Sequence, residues 1–562
     1  MISDGMKKEL PNFGTKFQKG NFRYAKVMVI GMGSYLNPGS KNFIESLQSE
    51  IYVDKSLLIE KTNKLVNTRQ KFICLSRPRR FGKSMAADML SAYYGCGNDT
   101  SPLFDGLKIA SAASYREHLN QYHVIKINMQ EFLSGAKSVD TMLERLQKYV
   151  IKELLAAFKD ILFLDEENFV QVIKDVYAAT NRPFVILIDE WDCLFREYAH
   201  DYDAQKTYLD FLRAWLKDQD YVALAYMTGI LPIKKYGTHS ALNMFSEYSM
   251  TDPWDMAEYF GFTEDEVRAL CDEYSMDFNE ARAWYDGYDL VTHTKNGLIH
   301  HAMYSPKSVV ESMLHHKFGP YWNQTETYEA LKVYIQMNMD GLKDGVIRML
   351  GGEAVPVDIS GFSNDMTTFH NADDVLSLLI HLGYLNYNEQ TRCVTIPNKE
   401  VSEVYNTSIK YMEDWSEVAR SIEASRKLLQ SMWDMDADAV ARGVDRAHDE
   451  ISILQYNDEN SLSCVIGLAF YYAREYYTII REMPTGKGFA DIFFLPRPLH
   501  ADKPAAVIEL KKNRNAQGAI DQIKQKNYVK ALDDYKGNLL LVGINYDAEK
   551  KHSCVIERWQ CE

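Results

Sequence analysis

Arg77-Pro-Arg-Arg-Phe-Gly-Lys-Ser84 stands between the apolar run Lys71-Phe-Ile-Cys-Leu75 and a segment that carries apolar Met85, Met89 and Leu90 at helical spacing. Strand, basic turn and helix follow in the order that points backbone amides and a helix N-terminus at phosphate. Lys83 supplies a point charge for outer phosphates, Ser84 a hydroxyl for magnesium, and Gly82 the turn before them. The common form of this loop has a glycine five positions before Gly82, where this chain has Arg77. Arg79 and Arg80 add positive charge but cannot take positive φ cheaply, so the loop is expected to turn in its own way. Arg79, Arg80, Phe81, Gly82, Lys83 and Ser84 are thus assigned to a nucleotide. Alone, the stretch is also compatible with a plain basic turn before a helix.

Further along, Tyr122-His-Val-Ile-Lys-Ile127, Phe184-Val-Ile-Leu-Ile188 and Val222-Ala-Leu-Ala-Tyr226 read as short buried strands, and 139–158 as an amphipathic helix. Apolar strands separated by helices imply a parallel sheet covered on both faces. The Phe184–Ile188 run ends in Asp189-Glu190. Asp189 would hold magnesium through water, and Glu190 would polarise the attacking water. Thr228, at the end of the last strand, is placed to read a γ-phosphate, or is simply a strand-end threonine. Arg196 and Arg213 follow the acidic pair, and the sequence singles out neither as an arginine finger.

A second constellation lies about 400 residues away. Gly486-Lys-Gly488 introduces the strand Phe489-Ala-Asp-Ile-Phe-Phe494, and Ala505–Lys511 forms the next. Glu509 and Lys511 share one face of that strand because side chains alternate. A hairpin would bring Asp491 beside them, the convergence of carboxylates on a cation, with a lysine, that phosphodiester cleavage needs. Without that convergence they are charged strand ends on a solvated sheet edge. Lys511, Lys512, Arg514, Lys524, Lys526 and Lys530 cluster locally, which fits phosphate contact as well as a solvated helix face.

The whole chain sets the frame. Its 562 residues exceed one core, so roughly three or four domains are expected. At 46% hydrophobic and 25% charged, every segment has enough apolar surface to fold. The net charge of −15 argues against a surface that binds polyanions everywhere, though not against a local basic groove. No apolar run reaches a membrane span's length; Val465–Ile480 is broken by Arg474 and Glu475. With no secretion signal and eight scattered cysteines, a reduced cytoplasmic protein without a membrane partner is expected.

Tyr52-Val-Asp-Lys-Ser56, the Arg77–Ser84 loop, Ile188-Asp-Glu-Trp-Asp192, Thr228-Gly229, Phe260-Gly-Phe-Thr263, Trp284-Tyr-Asp-Gly-Tyr288 and Tyr304-Ser-Pro306 together resemble the predicted AAA-ATPase-like proteins of bacteria. In that family the Arg-Pro-Arg-Arg loop is usual, and a C-terminal nuclease-fold domain is common. Trp191 departs from the more usual tyrosine between the acidic residues. Asp491, Glu509 and Lys511 resemble the PD-(D/E)XK nuclease superfamily. That resemblance implies that Gln522, on the helix 519–528, lines the site. It also implies a fourth acid, for which Glu459, Glu475 and Glu482 are open.

The expected architecture is α/β. It comprises an N-terminal arm (1–42), a P-loop NTPase core with a parallel sheet (43–255) and a helical, winged-helix-like region (256–410). A helical connector (411–455) and a restriction-endonuclease-like α/β domain (456–562) complete it. The expected function is ATP binding and hydrolysis coupled to a Mg2+-dependent nuclease acting on DNA; a homo-oligomer is compatible with it. The alternative is an ATP-driven switch or scaffold whose nuclease-like domain binds nucleic acid without cutting it.

Overall fold

The computed structural model describes residues 33–198, 200–233, 242–322, 328–337, 339, 341–362, 369–412, 415–450, 465–485, 488–497, 500–525, 537–547 and 551–559. Five parallel strands build the first sheet: β1 (Phe72–Ser76), β2 (His123–Asn128), β3 (Phe184–Asp189), β4 (Val222–Gly229) and β5 (Ser246–Tyr248). Their order is β2-β3-β4-β1-β5. β1, β3 and β4 are buried throughout, as a sheet covered on both faces requires. Ile73, Leu75, Val185 and Leu187 join one core, while Cys74, Ile186, Ile188 and Met227 join the other. Because β4 lies between β1 and β3, the end of β4 falls between the basic loop and the acidic pair. β5 is short, half-buried and without an apolar run, so the sequence hides it.

The expected loose arm is corrected from residue 33 onward. Leu36 is fully buried and bridges Ile125 on the outer strand β2. The amides of Ser34, Tyr35 and Leu36 all donate to the Glu153 carboxylate, at 2.8, 2.9 and 2.9 Å. This segment covers an edge that would otherwise expose unpaired backbone groups. Residues 1–32 lie outside the described ones.

Between 256 and 410 the helices are joined by a three-stranded antiparallel sheet that the sequence did not announce: β6 (Phe262–Thr263), β7 (Tyr288–Thr294) and β8 (Gly297–Tyr304), ordered β6-β8-β7. The first half of β8 is exposed, Leu298 and Ile299 included, so no clean alternation marks it. Thr263 starts the helix Glu264–Tyr274 with a reciprocal cap to Glu266. Helix Ala372–Leu382 precedes β10 (Asn386–Asn388) and β11 (Cys393–Thr395), and β11 lies between β10 and β9 (Val355–Pro356) in a small antiparallel sheet.

Glu400, buried at the start of helix Lys399–Lys410, ties this region together. Its carboxylate accepts from the amides of Tyr321 and Trp322 and from Ser308 Oγ, each at 2.7 Å. Burial outweighs these bonds and raises its pKa to about 7 from the ordinary 4.5. The folded state therefore holds a proton that the unfolded chain releases. Stability is fully present below pH 4.5 and falls as pH rises toward 7, by on the order of 3 kcal/mol. Glu400→Gln is expected to flatten that dependence, read as the apparent Tm of parent and variant between pH 4.5 and 7.5. Parallel profiles would mean that Glu400 ionises as it does in water.

The last sheet runs β12 (Tyr477–Thr485), β13 (Gly488–Pro496), β14 (Ala505–Lys512), β15 (Leu539–Tyr546) and β16 (His552–Arg558) in sequential order. β14 and β15 are parallel and the other pairs antiparallel, with helix Ala516–Gln525 crossing between the parallel two. The stretch expected as a connector is part of this domain's core. Leu429 and Met432 of helix Ser416–Trp433, and Val440 and Val444 of helix Ala437–Glu450, pack with Ile508, Val542 and Ile544. Asp445 accepts from the backbone amide of His552, at 2.7 Å, and pairs with its ring. Helical charge patterning alone could not show that these helices cover one face of the sheet. No helix among the described residues is long and apolar enough to cross a membrane.

Candidate functional site

Helix Lys83–Tyr94 begins at Gly82, whose φ of +88° lies in the left-handed region, and no side chain caps its first amides. A Cβ on Gly82 would meet nothing within 4 Å, so its role is conformational. The neighbouring Arg80 also takes positive φ, +134°, despite its side chain. Arg80 thus takes on the cost of the turn, which is bridged by Arg80 N donating to Pro78 O at 3.0 Å. Arg79 and Arg80 are exposed on the loop. Phe81 turns the other way; its buried ring meets Tyr288 edge-on, and only its main chain remains with the loop.

Arg77, at the position where a glycine is common, is a brace. Its buried guanidinium donates to the carbonyls of Ser76, Tyr248 and Ser249 at 2.8–2.9 Å, across β1 and β5. Burial lowers its pKa to about 9, and the carbonyls hold it in place. The loop is thus rigid because it is bonded outward, instead of being supple through glycine. Trp322 adds a bond from its indole to Arg79 O at 3.4 Å.

Ser84 Oγ donates to Asp189 Oδ2 at 2.6 Å, and Thr228 Oγ1 donates to Asp189 Oδ1. A serine from the loop, a carboxylate from β3 and a threonine from β4 therefore meet at one point, as the strand order dictates. The buried Lys83 ammonium donates to the carbonyls of Arg77 and Pro78, both at 2.9 Å. Burial lowers the Lys83 pKa, against Glu190, Asp192 and Asp189, which favour its charge. Glu190 itself sits at φ +53°, a costly conformation for a non-glycine residue and one found at functional sites.

Sequence reasoning left Asp192 without a role. Fully buried, it accepts from the amides of Ile230 and Leu231 through Oδ2, at 3.0 and 2.9 Å, and so anchors the chain just past Thr228. Arg196 donates to Glu190 Oε2 and lies 3.6 Å from Asp192 Oδ2. Arg213 is exposed on helix Tyr202–Leu216 and takes no part in these bonds. The Ile188-Asp-Glu-Trp-Asp192 motif was the only signal for Asp192.

Hard oxygens on Ser84 and Asp189, uncapped helix amides and a buried ammonium fit a magnesium–nucleoside triphosphate. Bound there, the cation would neutralise phosphate oxygens and hold them in line.

At the second site Glu509 is buried in β14, where it accepts from Lys511 Nζ at 3.0 Å and from Gln522 Nε2. Glu509 and Lys511 share the face of β14 that carries Val507 against Ile520 and Ile523 of helix Ala516–Gln525. Gly543, opposite Glu509, makes this approach feasible: a Cβ there would fall 2.3 Å from Ala516 O. The antiparallel register of β13 with β14 runs to Ile492↔Ile508, which puts position 491 one step beyond, beside Glu509. Glu482 falls between the pairs Arg481↔Ile492 and Met483↔Ala490, so its main chain flanks Asp491 on the other side. The side chains of Asp491 and Glu482 lie outside the described residues, as does all of Glu459. Glu475 instead pairs with Arg426 at 3.4 Å, just before β12 begins. Among the described residues no three His, Cys, Asp or Glu side chains group as a metal site.

Residues 39–238 match the family model described as Predicted AAA-ATPase, and residues 457–559 the one described as PD-(D/E)XK nuclease superfamily. The chain therefore joins an AAA-ATPase-like P-loop core to a nuclease-superfamily domain. It is 27% identical over 260 residues to a protein of Azotobacter chroococcum mcd 1 described as "Uncharacterized protein in vnfD 5'region". That match covers 45% of this chain and 47% of the relative, so the chain spans about half the length of the curated relative. Among solved structures, the Aeropyrum pernix ORC2 protein (ADPNP-ADP complexes) matches at 9% identity with a TM-score of 0.26, covering 64% of this chain and 96% of that one. At that score the likeness adds nothing to the reading of the site.

Proposed function

We propose that the chain binds and hydrolyses ATP with Mg2+ at Lys83, Ser84 and Asp189, and that this site governs a Mg2+-dependent nuclease acting on DNA at Asp491, Glu509 and Lys511. The observation that carries the first half is the Ser84–Asp189–Thr228 meeting point beside Lys83. Glu190 takes the proton of the attacking water, and Thr228 fixes the side of Asp189 nearest β4. For the second half, the support is the buried Glu509 with Lys511 and Gln522 gathered on it.

The nuclease-like domain also packs on the helical region that lies between the two sites in the chain. Arg497, immediately after β13, pairs with Glu280 at 3.3 Å, and Arg474 donates to Leu350 O at 2.8 Å. Leu468 and Tyr471 enter the core that also contains Phe81 of the loop. Those contacts favour a nuclease-like domain coupled to the nucleotide core through the helical region.

Lys83→Ala is expected to abolish ATP binding while the fold remains, because the ammonium is a point charge for phosphate and the shortened side chain leaves the Arg77 brace intact. Calorimetry of ATP and Mg2+ with parent and variant checks it. Equal affinity would sink the nucleotide assignment. A plasmid-degradation assay with and without ATP and Mg2+ then separates ATP-controlled cutting from binding alone.

A further inference from the structure

Three carboxylates, Asp189, Glu190 and Asp192, crowd the end of β3 against the charges of Lys83 and Arg196. A nucleotide brings several more negative charges to the same place. Magnesium offsets part of that charge, and the remainder favours any mobile cation that can change partners. Lys83 already belongs to the loop. Arg79, Arg80 and Arg213 are exposed.

Arg196 differs from all of them. Its side chain is 14% exposed, and among the described residues its one hydrogen bond to an acid is to Glu190 Oε2. Nε of Arg196 is buried and has no hydrogen-bond partner among the described residues. The carboxylate oxygen nearest to it, Asp192 Oδ2, is 3.6 Å away and already accepts from two amides. Burial opposes the Arg196 charge, but Asp192 and Glu190 outweigh it, so the group remains a cation. A guanidinium carries five donors in a planar fork, and an unmet buried donor in a native site calls for an explanation.

We propose that Arg196 reads the terminal phosphate in cis. This rests on the ATP reading above and adds a specificity-determining residue to it. The guanidinium is held on Glu190 until a γ-phosphate, with three acceptor oxygens, competes for the same fork. Its transfer to phosphate favours triphosphate over diphosphate and frees Glu190 for its own task. Water then adds to the γ-phosphorus, the P–O bond to the β-phosphate breaks to leave ADP, and Glu190 takes the water's proton.

The test is ATP and ADP affinity, each with Mg2+, for the full chain and its Arg196→Gln and Arg196→Lys variants. Arg196→Gln is expected to weaken ATP by about tenfold, the scale of a charged hydrogen bond, and to leave ADP within twofold. Arg196→Lys keeps the charge without the fork, so its preference for ATP should be intermediate; it also carries the test if the glutamine variant fails to fold. An unchanged ATP-to-ADP ratio in both variants overturns the proposal, because a brace for the strand end would weaken both nucleotides together or neither. A parent protein that binds neither nucleotide overturns the ATP reading itself, and this inference with it.

Discussion

Glu190→Gln is expected to keep ATP bound and to slow phosphate release by about 10²–10⁴-fold, the usual cost of losing a general base. The substitution preserves shape, and the amide oxygen can still accept from Arg196. The main chain at φ +53° is also undisturbed. What disappears is the ability to take a proton from water. Asp189 cannot substitute, because both its oxygens accept from Ser84 and Thr228. Steady-state phosphate release beside ATP calorimetry checks the split between binding and chemistry. Turnover equal to the parent's would reduce Glu190 to a strand-end acid paired with Arg196.

Cleavage of DNA is expected to vanish in Asp491→Ala and in Glu509→Ala, since each removes an oxygen ligand from a hard cation. Glu509→Ala has a second cost: Lys511 and Gln522 lose the acceptor they share. Glu509→Gln, which keeps an acceptor but not the charge, separates lost metal binding from a disturbed site. Lys511→Ala should retain metal and slow the chemical step. Nicking of plasmid with Mg2+ or Mn2+ is the measurement. If all variants cut at the parental rate, the activity lies elsewhere or came from a contaminant. A parent that never cuts DNA or RNA, with or without ATP, makes the binding-only switch the better account.

Much of this was legible in the chain because it is written locally. A short apolar run followed within a few residues by Gly-Lys-Ser, or directly by Asp-Glu, states strand, turn and chemistry locally, and β1, β3 and β4 follow the apolar runs. Glu509 and Lys511 share a face through the two-residue repeat of a strand, which needs no tertiary knowledge. The half-buried β5 and the edge cover at Leu36 were illegible because their partners lie far away in sequence, and the β7–β8 hairpin because Leu298 and Ile299 stand exposed in succession, without the alternation of a half-buried strand. Helices Ser416–Trp433 and Ala437–Glu450 read as a connector for the same reason: an amphipathic face does not name the sheet it covers.

By itself, then, the sequence determined which residues carry charge, hydroxyl or carboxylate at the ends of apolar strands, because covalent order and side-chain periodicity suffice for that. Only the tertiary structure decided that Thr228 falls between the loop and Asp189, through the insertion of β4 between β1 and β3. It also decided that Arg77 is a brace to β5 and that Arg196 rests on Glu190. A buried guanidinium takes its role from whichever acceptors the packed chain brings within about 3 Å of it, and those acceptors are set by long-range folding.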